Sequence, residues 1–143
     1  MKAVLDTNVL VSAFLSAKGA PAQVLEALHQ ESFDLIVSEP ILDEYQQVLS
    51  YGKVQAIHLM NRGEIAEVID ALKSFAIIVD PAQSLAGIIR DPDEPKFLEC
   101  AVAGRALYIV SQDLDLLSLK AYEEIQIVSP GLFLKILKAG RYP

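Results

Sequence analysis

The side chains of this sequence best suited to chemistry are carboxylates set where short apolar runs end. Ala3-Val4-Leu5 stops at Asp6, and Leu107 to Val110 opens into Ser111-Gln112-Asp113. In an open parallel sheet, ligands bind beyond the carboxyl ends of the strands, so an acid at such a stop is well placed to meet one. Each acid also has an ordinary structural explanation. Asp6-Thr7-Asn8 can form an Asx-turn and cap the first helix, and either Asp113 or Asp115 can cap a later one. Ile41, Glu44, Tyr45 and Val48 fall on one i, i+3, i+4, i+7 stripe, so Glu44 occupies a slot where an apolar residue is expected, while Asp43 points nearly the other way. Such a carboxylate either snorkels to solvent or faces a polar pocket. Asp91, Asp93 and Glu94 precede a helix marked by Phe97; an N-cap with Pro95 in the first turn, plus dipole complementation, accounts for any one of them singly.

Taken together the acids say more. An α/β sheet would bring Asp6, Glu44, the 91–94 run and Asp113 to one rim. Like charges that close cannot all stay ionised uncompensated: pKa values rise or cations bind. Carboxylates with waters suit Mg²⁺ or Mn²⁺, and a pair of such ions roughly 3.5–4 Å apart activates a water and stabilises the leaving oxygen in phosphodiester hydrolysis. That chemistry needs no His, Cys or Ser nucleophile. His29 and His58 lie on predicted helices without paired ligands, and Cys100 lies among small apolar residues, so packing or surface roles explain all three.

The elements that must hold these acids follow from the periodicity. Short apolar runs alternate with helix-period segments and no repeat intervenes, which predicts an α/β fold with a mostly parallel sheet. Strands are expected at Ala3 to Leu5, Phe33 to Val37, Ala76 to Val79, Leu107 to Val110 and Ile125 to Val128. Helices are expected at Asn8 to Leu15, Ala22 to His29, from a Ser38 cap to about Leu49, between Gly52 and Asn61, and over Glu64 to Phe75. Another follows on Phe97, Leu98, Ala101 and Val102, then a short turn or helix after Asp113, then Leu132 to Lys138. Asp80 to Glu94 reads mostly as loop. The sum is about five strands and six or seven helices.

Composition bounds the rest. The chain has 143 residues, 52% hydrophobic and 22% charged, enough for one domain, 1–143, with a substantial core. Apolar stretches fall far short of the roughly 20 residues that span a bilayer, and no signal-peptide pattern is present, so a cytoplasmic, membrane-free protein is expected. One cysteine and two histidines leave no disulfide and too few soft ligands for structural zinc. The net charge of −7 argues against nucleic-acid binding through a broad cationic surface, and fits instead a basic partner or a pocket that needs a cation before an anion can approach. Apolar faces on the second helix and on Glu64 to Phe75 could support a homodimer. Lys135, Lys138 and Arg141 are explained most simply by complementation of a helix C-terminus.

Val4-Leu5-Asp6-Thr7-Asn8-Val9-Leu10-Val11-Ser12-Ala13, the Glu44 helix, the segment from Asp91 to Ala101 and the segment from Tyr108 to Leu117 together resemble the PIN domain. Within it they are most similar to the bacterial branch of predicted toxin components of toxin–antitoxin systems, related to VapC toxins. The likeness covers nearly the whole chain, with four blocks in the right order. It implies a PIN fold, with a central parallel sheet flanked by helices, and a Mg²⁺- or Mn²⁺-dependent endoribonuclease acting on RNA. It also implies a cognate antitoxin whose segment inserts beside the acidic pocket, and commonly a homodimer. By position Asp6 matches the family's first acid, Glu44 its second, and Asp113 the acid after a later strand. Asp91, Asp93 and Glu94 share the remaining acidic role, Asp91 and Glu94 ahead of Asp93, because Pro95 stands where another carboxylate is common. Asn8 and Ser111 match polar positions that orient a carboxylate or a metal-bound water, and Gln112 stands where a small residue or Arg is usual. Other readings are housekeeping RNA processing, an inactive PIN-like binding module, and Mg²⁺-dependent phosphatase or phosphoacceptor chemistry on the same rim.

Overall fold

Ala3, Val4 and Leu5 are buried on both faces of strand β1 (Lys2–Leu5), as the centre of a parallel sheet covered by helices requires. The computed structural model describes residues 1–82, 84–85 and 95–140. After β1 come helices α1 (Thr7–Leu15) and α2 (Ala20–His29), strand β2 (Asp34–Val37), helices α3 (Glu39–Leu49), α4 (Gly52–His58) and α5 (Arg62–Phe75), and strand β3 (Ile77–Ile78). Helix α6 (Pro95–Gly104), strand β4 (Tyr108–Val110), helix α7 (Leu114–Leu119), strands β5 (Ala121–Tyr122) and β6 (Ile125–Val128), and helix α8 (Pro130–Ala139) complete the described chain.

The strands form one sheet in the order β3-β2-β1-β4-β6-β5, parallel except for the antiparallel β5–β6 pair. Strand order reverses between β1 and β4, which makes the carboxyl ends of those two neighbours the switch point where α/β sheets open a crevice. Register is fixed there by Leu5 facing Val110 and by the Asp6 amide donating to the Val110 carbonyl at 2.9 Å.

The sequence places β1, β2, β3, β4 and β6 within a residue or two. The sixth, β5, pairs only Ala121 and Tyr122 with β6, too short to carry an alternating pattern. Eight helices are described rather than six or seven, because the segments Gly52–His58 and Leu114–Leu119 are both helical in full. Helix α5 starts at Arg62, ahead of the expected Glu64, because Asn61 and Glu64 form a reciprocal capping box. Ser38 occupies the N-cap of α3 but makes no side-chain cap bond; its hydroxyl is turned into the core beside Cys100. Asp80, Pro81, Ala82, Ser84 and Leu85 lie outside helices and strands, and the rest of the expected loop lies outside the described residues. No described helix is long and apolar enough to cross a membrane.

One close approach brings α6 down onto the sheet. Gly104 sits where a Cβ would overlap the side chain of Ile36 in β2, so the helix C-terminus can lie against the strand only without a side chain there. Gly104→Ala is expected to destabilise the fold by about 1–3 kcal/mol, as overpacking of a filled core does, and urea unfolding will read it as a lower midpoint at unchanged slope.

Candidate active site

Asp6 is the hinge between β1 and α1. Its backbone is extended and its carbonyl accepts from Val9, so it occupies the N-cap position, yet its carboxylate makes no capping bond further into the helix. That carboxylate is 3% exposed and receives the Ser111 hydroxyl at 2.6 Å and the Thr7 backbone amide. Ser111, fully buried at the end of β4, accepts in turn from the Asp113 amide at 2.9 Å, so one hydroxyl links the first acid to the turn that carries another. Asp113 caps α7 by accepting from the Asp115 amide, which confirms the capping role the sequence allowed. A parallel link runs alongside: the Gln112 amide donates to Asn8 Oδ1 and the Ser12 hydroxyl donates to Gln112 Oε1.

The third strand end contributes through α3. Tyr45 is completely buried and its hydroxyl donates to the Leu5 carbonyl, which fixes the rotation of α3 against β1. Glu44, the preceding residue, is thereby turned toward the rim, half-buried, while Asp43 is exposed. Its carboxylate accepts from the Thr7 hydroxyl and pairs with the Lys96 ammonium in the first turn of α6. Thr7 and Lys96 carried no signal in the periodicity. Thr7 could have been noticed as a polar neighbour of Asp6, and Lys96 as a base in a helix's first turn, where the dipole disfavours positive charge.

Burial pushes the Asp6 carboxyl up to about 6; the Ser111 and Thr7 hydrogen bonds work against that shift, and the negative charges of Asp113 and Glu44 add to it. Burial also raises the Tyr45 hydroxyl well above its usual range and the Cys100 thiol to about 12, which leaves Cys100 a packing residue. His29 sits edge-on to Phe75 in an apolar cleft of about 180 Å³ between α1, α2 and α5, and His58 bridges the Leu49 carbonyl and the Met60 amide; neither touches the rim.

The structure therefore brings Asp6, Glu44, Asp113, Asn8 and Ser111 to one edge, while Asp91, Asp93 and Glu94 lie outside the described residues. Among the described residues no group of three or more His, Cys, Asp or Glu side chains is gathered tightly enough to hold a metal ion. The chemistry of the donor set nonetheless fits a hard divalent cation: all donors are oxygens, and the Asp6 carboxyl, pushed up mainly by burial, has the negative charges of Asp113 and Glu44 nearby.

The profile of the PIN domain family matches residues 2–115, a span that includes every rim residue described above. The chain belongs to the PIN domain family. PIN domains are generally nucleases and typically use divalent metal ions. An uncharacterized protein of Methanocaldococcus jannaschii is 31% identical over 120 residues, 84% of this chain and 76% of the relative. In fold, this PIN domain is similar to a chain of VapBC2 from Rickettsia felis, solved bound to a DNA fragment from their promoter, with a TM-score of 0.59 and 18% identity over 89% of this chain and 97% of that one.

With Asp6 at about 6 when folded against 3.8 unfolded, the folded state binds the extra proton between those values, so stability of the metal-free protein falls as pH rises from about 4 to about 6 and is level above. Asp6→Asn removes that slope and stabilises the metal-free chain at pH 7 by up to about 3 kcal/mol. Urea unfolding in EDTA from pH 4 to 8 checks both, and an unchanged slope in the variant would contradict the burial argument.

Proposed function

We propose that this PIN domain is a Mg²⁺- or Mn²⁺-dependent endoribonuclease and the toxin of a type II toxin–antitoxin pair. The observation that carries the nuclease reading is the buried Asp6 carboxylate at the switch point, with Asp113 and Glu44 pressing negative charge on it. Asp6, Glu44 and Asp113 would hold the cation together with Asp91, Asp93 and Glu94, Asp91 and Glu94 ahead of Asp93. Such an ion, when bound, supplies a water activated for attack on phosphorus and charge stabilisation for the leaving oxygen.

The chain's own groups supply the preorganisation. Ser111 donates to Asp6 Oδ2 and so fixes the orientation of that carboxylate, while its acceptance from the Asp113 amide holds that turn in place. Asn8 steadies the same turn through Gln112, and Thr7 fixes Glu44. These bonds hold acids that repel one another in a fixed geometry, which a reaction with charge building on phosphate oxygens needs. The buried Asp6 favours being charged once a cation is close, and so serves as a ligand better than as a proton donor at neutral pH.

Support for the toxin role is of a different kind. It rests on the similarity of fold to a chain of a VapBC complex and on a net charge of −7, which suits a basic antitoxin segment at the acidic rim. RNA is the substrate the resemblance implies, and this acidic chain would take it at exposed single strands or by shape. A homodimer built on the apolar α2 and α5 faces and a cytoplasmic location complete the proposal.

Purified protein is expected to cut a labelled RNA mixture with Mn²⁺ or Mg²⁺ and not with EDTA. Asp6→Asn should lower the rate by about 100-fold or more, and Ser111→Ala by about 10–100-fold, the scale of an outer-shell loss. Absence of cutting by well-folded wild-type protein would point to a binding module. Induced expression should arrest growth in wild type and not in Asp6→Asn; normal growth alongside active enzyme in vitro would assign it to housekeeping RNA processing.

A further inference from the structure

We infer that Lys96 is the resident counter-ion of Glu44 and competes with the divalent cation for that carboxylate. The inference rests on the reading of the rim as a cation site. Lys96–Glu44 is the single ion pair among the described residues, and both side chains are about four-fifths covered, at 21% and 23% exposure. The pair is specific to this place rather than one of many surface contacts.

The helix does not explain the lysine. Lys96 is the second residue of α6, where backbone amides already present positive charge and acids are the favoured residues; the first turn of α6 holds no acid. That placement in the helix is unfavourable to an ammonium, and among the described residues what compensates it is the Glu44 carboxylate across the rim together with the face of buried Phe97, whose centroid lies 5.7 Å from Nζ. Thr7 holds the other oxygen of Glu44, so the carboxylate has both oxygens engaged in the metal-free chain.

Two consequences follow. Glu44 is held in place by Thr7 and Lys96 without a cation, so the rim is assembled before a metal arrives. A cation that takes Glu44 must displace an ammonium already seated there, and the apparent affinity is weakened by the strength of that pair. Lys96 thus acts as a positioning residue through Glu44 and sets the cation concentration at which the rim fills.

The test is Mn²⁺ titration of the full chain followed by the electron paramagnetic resonance of free Mn²⁺, a readout independent of RNA cleavage. The proteins are wild type, Lys96→Met, Lys96→Arg, Glu44→Gln and the Glu44→Gln/Lys96→Met double variant. Lys96→Met is expected to bind Mn²⁺ about 5–30-fold more tightly than wild type, the factor that loss of one modest competing interaction gives. Lys96→Arg should stay within about twofold of wild type, and in the Glu44→Gln background Lys96→Met should change the affinity by no more than about twofold. Unchanged or weaker binding by Lys96→Met would overturn the inference, as would tightening that persists in full without Glu44, since the lysine would then act only as a distant charge. Tightening without any RNA cutting would sink the nuclease reading and leave this one standing. RNA cutting with no tightening would do the reverse, and no Mn²⁺ binding by any of the five would remove both.

Discussion

The hydroxyl of Ser111 is the joint on which the rim is built. It donates to Asp6 and accepts from the Asp113 amide, so a single buried side chain ties the end of β1 to the turn after β4. The constraint behind it is electrostatic. Asp6 is almost wholly withdrawn from water, and a buried carboxylate survives there only with donors aimed at it. Everything nearby serves that need: the parallel register that sets Leu5 beside Val110, the Tyr45 bond that turns α3, and the Thr7 hydroxyl that holds Glu44.

The same constraint makes the rim costly to the fold. Asp6 would be more stable protonated or replaced by an amide, and the metal-free domain carries that penalty at neutral pH. The Lys96–Glu44 pair relieves part of the local repulsion from outside the carboxylate set, which is why the acids can sit together in the absence of a cation. A local cost of this kind, offset elsewhere in a well-packed structure, is expected at a functional site.

Much of this was legible in the sequence, for reasons that can be stated. Asp6 and Asp113 were visible because strands end abruptly at them, and Glu44 because it broke an apolar stripe; the structure places all three at the carboxyl edge, together with Asn8 and Ser111. What stayed hidden depends on contacts between residues far apart in the chain. Lys96 lies 52 positions from Glu44 and has no periodic signature of its own. Ser38 looked like a cap because of its place before Pro40, but the core beside Cys100 claims its hydroxyl. Strand β5 is too short to declare itself and exists because β6 offers it an edge.

The separation between Asp6 and Ser111, 105 residues, also bears on how the protein is made. The N-terminal acid leaves the ribosome early, but the group that orients it follows β4, the strand that pairs with β1 on the other side from β2. At synthesis rates of about 5–20 residues per second, several seconds pass in which β1 has no neighbour on that side and the acids are scattered. The rim is therefore a late product of translation, since Asp6 and Ser111 can meet only after most of the chain has been made.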